Sequence, residues 1–512
     1  MDAIFAGLFE VLSFGNIMII LGSLILGMIV GCIPGLTVTL GIILLLPLTY
    51  SFKSGATAII ALLSVYVGGM YGGSISAILL NTPGTNSAIA TCLDGHPLSK
   101  KGKSKKALDV SLYASVIGGL IAAFLLLFTS QPVAKFVSFF TSTEYFALAI
   151  LGLSLIAGVS GDNILKGIIS GLIGIFISQI GLDTVTGVSR FTFDTMLLYG
   201  GLSIMPAMIA MIALIQIMEK SKDYVNSKGK LMEISKIDND GITNKERIKL
   251  LPAIWKSTWI SSILGVMPGV GGGVSQFLCY NEVKRTSKNP QEFGKGSLEG
   301  IAAAEASNNA IVGTALIPLL TLGIPGDGVT ALLLGAFILH GIVPGPTMFT
   351  KQASTVYMII FGVILANLLL YLVGNLFTKS VAKIVQVKYS YLGPIILVFC
   401  FAGAFAANGS SYEVILVILT LLFTYILVLL DISTIPLMLG MILAPIIERN
   451  FVNSMTIYDN DILIFLKKPI SLAILILAAI LTISFVKINK KIAKMEMELE
   501  NQNLVSEELQ TS

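Results

Sequence analysis

Apolar runs long enough to cross a membrane follow one another along most of this chain, and no other feature restricts its fold as much. A helix needs about 20 apolar residues to span a bilayer core. Candidate membrane segments lie at about 16–33, 36–52, 55–80, 108–130, 144–160, 163–182, 195–218, 253–283, 297–322, 327–343, 353–377, 389–408, 412–430, 433–447 and 469–488. Charged residues make up only 12% of the 512, and hydrophobic residues 55%. An ordinary soluble domain carries roughly 25% charged residues, so too few remain here to cover a soluble surface. The mean hydropathy of +0.88 agrees. A soluble enzyme, a secreted disulfide scaffold and a disordered chain are excluded. In lipid every backbone polar group needs a partner, so the spans are helices. With 50 glycines and 17 prolines, some of them must be interrupted around a cavity or a packed site. The sequence predicts an all-α polytopic membrane protein with about 11–13 membrane segments.

The scarce charge is unevenly placed. Lys100, Lys101, Lys103, Lys105 and Lys106 share one loop with no acid among them. Nine bases lie between Lys220 and Lys256, four between Lys284 and Lys295, and four between Lys487 and Lys494. Together they are 22 of the 33 Lys and Arg residues. Positive charge stays cytoplasmic, so these segments are expected to face inward. Four candidate spans separate the first two clusters, an even number, as two cytoplasmic ends require. The N-terminus then falls outside and the C-terminus inside. The first apolar run follows Asp2 and Glu10 with no basic region, unlike a cleavable signal peptide.

The chain also resembles itself. Gly31-Cys-Ile-Pro34-Gly35-Leu36 recurs as Gly265-Val-Met-Pro268-Gly269-Val270, and Leu80-Asn-Thr-Pro83-Gly84 as Leu322-Gly-Ile-Pro325-Gly326. Tyr145 through Asp162 tracks Tyr391 through Asn408. Asp183-Thr-Val-Thr186 echoes Asp431-Ile-Ser-Thr434, and the offset drifts only from 234 to 248. Residues 1–218 read as a first membrane repeat and 219–252 as a cytoplasmic loop. Residues 253–450 form a second repeat, 451–488 a last transmembrane helix and 489–512 a charged cytoplasmic tail. By the charge map the first copy starts outside and the second inside, which makes an inverted-topology repeat. Secondary transporters are built this way, with the site at paired helix interruptions near the midplane.

Four Pro-Gly breaks occupy matched places. Pro34-Gly35 pairs with Pro268-Gly269, the latter extended by Gly271, Gly272 and Gly273 and then Ser275 and Gln276. The more polar Asn81-Thr82-Pro83-Gly84-Thr85-Asn86-Ser87 pairs with the break at Pro325-Gly326. Proline removes a donor and glycine permits the turn. A helix restarting after such a break offers free N–H groups and its positive dipole end to an anion. A single Pro-Gly is equally what a packing kink looks like; four in matched places favour a binding role. Glu305, Ser307, Asn308 and Asn309 sit in a span that should be apolar, where polar groups face a cavity, bind an ion or bond to a neighbouring helix. Asp327 reads either as a coupling-ion residue or as a helix cap. Basic residues near mid-span are almost absent, and Arg190 lies in an expected outer loop near Asp183 and Asp194. An anionic substrate would be held by backbone N–H groups, hydroxyls and amides.

Other chemistry finds no support. Cys32, Cys92, Cys279 and Cys400 are far apart and read as small apolar residues. His96 and His340 are also far apart, so no metal site is expected. Gly294-Lys-Gly-Ser297 lacks the spacing of a phosphate loop, and the glycines after Gly269 follow no soluble strand. Neither nucleotide nor nucleic acid is expected as a partner. A membrane enzyme would need catalytic His, Cys or carboxylates gathered near one interface, and the sequence shows no such set.

Over about residues 15–450 the chain resembles the large membrane subunit of tripartite tricarboxylate transporters, the TctA-type permeases. Four blocks carry the resemblance: Gly27 to Leu36; Tyr71-Gly-Gly-Ser74 through Pro83-Gly84 to Asp94-Gly95-His96-Pro97; Gly181-Leu-Asp183 with Arg190-Phe-Thr-Phe193; and Glu305-Ala-Ser-Asn308-Asn309 through Pro325-Gly326. Ala304 stands where the family commonly has proline. The resemblance implies a secondary active permease in the bacterial inner membrane, with no cofactor beyond a coupling Na+ or H+. It also implies a small membrane subunit (TctB-like) and an extracytoplasmic solute-binding protein (TctC-like) as partners. The implied substrates are tricarboxylates or related carboxylates. A stand-alone transporter or channel for another small organic anion is the alternative.

Overall fold

The computed structural model describes residues 2–33, 36–159, 164–183, 187–226, 240–267, 271–377 and 389–484, and it is 82% helical. Among the described residues the strands are one two-residue pair, β1 (Gly181–Leu182) antiparallel to β2 (Ser189–Arg190). Among the described residues seven helices are long and apolar enough to cross a membrane, and five shorter apolar helices accompany them. The chain is therefore an all-α polytopic membrane protein.

It folds as two compact units, and both draw on both halves of the sequence. The first unit holds residues 1–139 and 203–424. Its helices begin α1 (Asp2–Val11), α2 (Phe14–Cys32), α3 (Val38–Thr49), α4 (Gly55–Leu80), α5 (Ile89–Lys100) and α6 (Ser104–Val137). Hydroxyl caps start several of them. Thr37 accepts from Leu40 N at 3.3 Å, and Ser54 from Thr57 N at 3.1 Å, each satisfying one of the orphan donors of a first turn.

Helix α4 is buried over its whole apolar span. Lipid tails are as apolar as leucine, so helices in a bilayer associate by close packing and hydrogen bonds. Here the packing is backbone on backbone. A Cβ on Gly27 would lie 2.3 Å from Val65 O, and one on Gly31 would lie 2.3 Å from Gly69 O. A Cβ on Gly72 would lie 2.5 Å from Met28 O. Only glycine lets α2 and α4 approach this closely.

The later part of the same unit starts from α7 (Asn244–Val266), α8 (Gly271–Thr286), α9 (Leu298–Leu322) and α10 (Gly328–Leu339). The expected span at 253 begins nine residues earlier, because Thr243 and Glu246 form a reciprocal capping box that starts α7 at Asn244. Ser297 caps α9 by accepting from Gly300 N at 3.2 Å. Helix α9 is buried from Gly300 to Thr321 and packs on α6, where Gly118 lies against Ala306 O. Helix α11 (Ala353–Phe377) packs on α4 and α6. The chain's two tryptophans, Trp255 and Trp259, lie on the exposed side of α7 with ring centroids 5.9 Å apart.

The second unit holds residues 140–202 and 425–512. Helix α12 (Ile164–Ile177) meets α13 (Thr434–Ile457) as closely as α2 meets α4. A Cβ on Gly174 would lie 2.0 Å from Leu437 O, and one on Gly440 would lie 2.2 Å from Gly171 O. Arg190 on β2 bonds Gln179 at 2.7 Å and pairs with Asp183 and Glu448. Its charge is thus compensated, partly by a carboxylate far away in sequence. Asp194, its other expected neighbour, makes no such bond among the described residues.

Candidate functional site

Helices α4 and α9, both buried along nearly their whole length, stand at positions that the sequence repeat matches. Each ends on a left-handed residue, Asn81 (φ 55°) and Gly323 (φ 71°), 242 positions apart. Each is followed by a break and then a restarted helix. Gly84 and Gly326 share that offset. A Cβ on Gly84 would lie 1.9 Å from Gly31 O, and one on Gly326 would lie 3.3 Å from Gly265 O. Gly31 and Gly265 are themselves matched, so each polar break rests on the carbonyl just before the Pro-Gly break of its own half. The helix pairs match too. Gly27 lies against Val65 O, and at its counterpart Ser261 donates to Ser307 O at 2.9 Å.

Pro34, Gly35, Pro268 and Gly269 lie outside the described residues. The remaining break residues are placed as follows. Asn81 is exposed at the end of α4. Thr82 Oγ1 donates to Leu80 O at 3.3 Å. Pro83 is half-buried, and Gly84 N–H donates to Gly73 O at 3.2 Å. Thr85 is buried, and its Oγ1 has no hydrogen-bond partner among the described residues. Asn86 begins the short 3-10 turn that leads into α5. Ser87 is buried against Gly272, where a Cβ would lie 2.1 Å from Ser87 Oγ. The polar break of the first half therefore touches the glycine-rich start of α8 in the second. Gly271 opens α8 at φ +63°, and Ser275 Oγ bonds Ser261 Oγ at 3.1 Å and Ser307 Oγ at 3.0 Å. Pro325 is buried, and Gly326 N–H donates to Thr330 Oγ1 at 2.9 Å.

Of the two readings of Asp327, the structure displays the cap. Its Oδ1 accepts from Thr330 N at 2.8 Å at the start of α10, and its Oδ2 accepts from Tyr66 OH at 3.0 Å. Tyr66 and Asn308 are matched positions on α4 and α9, and both reach into the other half. Asn308 Nδ2 donates to Met70 O at 3.1 Å and to Ser74 Oγ at 3.3 Å. Asn308 Oδ1 and both polar atoms of Asn309 have no partner among the described residues, although these side chains are at most 1% exposed.

Glu305 lies at the centre of this polar patch and is fully buried. Thr91 donates to its Oε1, and Ser115 donates to its Oε2 at 3.0 Å. Among the described residues no Lys, Arg or His pairs with it. A buried ionised carboxylate without a counter-charge is costly unless it gains a proton or a cation. Its ring of hydroxyls stabilises the charge and offers oxygen ligands to a cation.

Two residues outside the expected site complete this assembly. Gln276 on α8 donates to Ala304 O at 3.2 Å and to Thr91 Oγ1 at 3.3 Å, and its Oε1 accepts from Ala90 N at 3.0 Å. Asp94 on α5 is fully buried, and its Oδ1 accepts from Gly294, Gly296 and Ser297 N–H, each at 2.8 Å. Its Oδ2 accepts from Tyr280 OH at 2.8 Å. Helix α5 is thereby tied to the start of α9, the helix that carries Glu305. Among the described residues no group of three His, Cys, Asp or Glu side chains forms a metal site.

Interrupted helices long and apolar enough to cross a membrane, with a buried carboxylate on α9, make this a polytopic membrane protein with a polar interior. The family model described as the tripartite tricarboxylate transporter TctA family matches residues 17–439, and the chain belongs to that family. It is 34% identical over 453 residues to an uncharacterized 52.8 kDa protein in the TAR-I ttuC' 3'region of Agrobacterium vitis, covering 88% of this chain and 89% of that one. It is 38% identical over 214 residues to an uncharacterized protein in the TAR-II ttuC' 3'region of the same organism, covering 42% of this chain and 88% of that one. No solved structure matches it.

Proposed function

We propose that this transporter-family protein is the permease subunit of a secondary active uptake system for tricarboxylates or related carboxylates, driven by a cation gradient. In this reading an extracytoplasmic solute-binding protein (TctC-like) delivers the substrate, and a small membrane subunit (TctB-like) completes the complex. The chain sits in the bacterial inner membrane with its N-terminus outside and its C-terminus inside, as the basic clusters favour. The two matched halves then have opposite senses.

The observation that carries the reading is Glu305, a fully buried carboxylate ringed by hydroxyls and bordered by the unpartnered polar atoms of Asn308 and Asn309. Glu305, Ser307, Asn308 and Asn309 form the coupling-ion side, where Na+ or H+ neutralises the carboxylate. The substrate side lies at the breaks: Pro34-Gly35, Asn81 to Ser87, Pro268-Gly269 with Gly271 and Ser275, and Pro325-Gly326. There, N–H groups of restarted helices, hydroxyls and amides hold the anion, with no arginine required. Asp327 caps α10 at the rim of this region.

The test is uptake of radiolabelled citrate and other di- and tricarboxylates by cells expressing the chain with both partners, under imposed Na+ or H+ gradients. Glu305→Gln, Asn81→Ala and Asn309→Ala should insert normally and lose uptake. Wild-type uptake in all three variants sinks the site assignment. Full uptake without the binding protein sinks the tripartite reading and leaves a stand-alone transporter.

A further inference from the structure

We propose that Thr91 and Gln276 form a relay that turns cation occupancy at Glu305 into release of a backbone donor at the start of α5, next to the Asn81–Ser87 break. The proposal rests on reading Glu305 as the coupling site. It adds two positioning residues and an order of events.

The relay is a chain of three hydrogen bonds. Thr91 O–H donates to Glu305 Oε1. Thr91 Oγ1 accepts from Gln276 Nε2 at 3.3 Å. Gln276 Oε1 accepts from Ala90 N–H at 3.0 Å. Ala90 lies three residues past Ser87, in the first turn of α5, where the first backbone donors lack the regular α-helical acceptors. Gln276 therefore acts as a side-chain cap supplied by the opposite half.

A hydroxyl has one proton and two lone pairs, while the Gln276 amide nitrogen only donates. While Oε1 is free, the Thr91 proton points to it and the lone pairs face Gln276. A proton bound on Oε1 makes that oxygen a donor, and Na+ bound there attracts the Thr91 lone pairs. In either case Thr91 presents a lone pair to Glu305, and its proton turns to one of the two other positions on its oxygen. The relay places it on the one that faces Gln276, so that donor meets donor at Nε2. The amide then loses one of the three bonds that fix its plane, keeping Ala304 O at 3.2 Å. The clash turns its oxygen off Ala90, and that N–H becomes free to bond an anion. Cation binding thus precedes and promotes anion binding.

Hydrogen–deuterium exchange on the full chain in nanodiscs, at one fixed pD, tests this without any substrate. The probes are NaCl against choline chloride, and Glu305→Gln as a mimic of the proton-loaded state. A peptide containing Ala90 should exchange roughly fivefold faster in NaCl or in Glu305→Gln, the effect of losing one ordinary hydrogen bond. Thr91→Val should abolish the response, and Thr91→Ser should restore it, which a merely structural role for Thr91 would not produce. If wild type and Glu305→Gln exchange alike in both salts, or if Thr91→Val still responds, the relay is wrong. A chain that carries carboxylates but gives no response refutes the relay alone. A chain that responds but carries none refutes the transport reading alone.

Discussion

Tyr66 donates its hydroxyl to Asp327 Oδ2 at 3.0 Å, joining the middle of one buried helix to the cap of the helix that restarts after the other. The bond crosses between halves that are matched in sequence, and Asn308 makes the reciprocal crossing from the position equivalent to Tyr66. A hydrogen bond to a charged group contributes about 1.5–3 kcal/mol. Tyr66→Phe should destabilise the chain by roughly that amount, and adding Asp327→Asn should cost much less than its effect in the wild type. Reversible unfolding in mixed micelles, read as a double-mutant cycle, checks the coupling. Additive effects would mean that the two residues act independently.

Gly84 has no room for a side chain, since its Cβ would lie 1.9 Å from Gly31 O. That neighbour is backbone and cannot turn away. Gly84→Ala should give little or no monodisperse protein on size exclusion, while Gly22→Ala, where nothing lies within 4 Å, should behave as wild type. Equal yields for the two variants would show that the break does not rest on α2 as described.

Asp94 holds three backbone donors with one oxygen. Leaving such donors buried and unpaired costs about 1–3 kcal/mol each. Asp94→Ala is expected to prevent stable folding. Asp94→Asn keeps an acceptor oxygen and should fold with a loss of about 1–3 kcal/mol, measurable as a lower thermal midpoint.

Glu246 closes the capping box of α7 and pairs with Lys106 at 3.0 Å. The Thr243 backbone N–H, first, and then the Thr243 hydroxyl and Lys106, hold its carboxyl at about 2, below the ordinary 4.5. A lowered carboxyl favours the folded state fully above the unfolded value and loses that contribution as pH falls through the folded one. The loss should run from about pH 4.5 down to about 2 and be absent in Glu246→Gln. Both side chains are partly exposed, so screening holds the effect at neutral pH to about 1 kcal/mol or less. Acid unfolding curves of the two proteins that superimpose over this window would contradict it.

Much of the fold was legible because membrane helices announce themselves by length and composition. The runs at 55–80 and 353–377 are the helices Gly55–Leu80 and Ala353–Phe377. The breaks at Pro83-Gly84 and Pro325-Gly326 were legible because a Pro-Gly pair has a backbone meaning wherever it stands. The expected start at 253 was late because apolar composition does not register a capping box of Thr243 and Glu246, which extends α7 into polar sequence. Thr91 and Tyr66 were not foreseen, and Gln276 was read only as part of its break, because their partners lie 214, 261 and 186 positions away. Nothing in the local pattern of α4, α5 or α8 distinguishes a hydroxyl or amide that meets a carboxylate from one that bonds its own helix.

Trp255 and Trp259 share one exposed stretch of α7, and the chain has no other indole. The intrinsic emission of the unmodified protein therefore originates from a single address, the outer side of the helix that precedes the Gly271 break. Spectral shifts and quencher access during turnover will report whether that helix changes its surroundings, with no dye attached and no cysteine introduced.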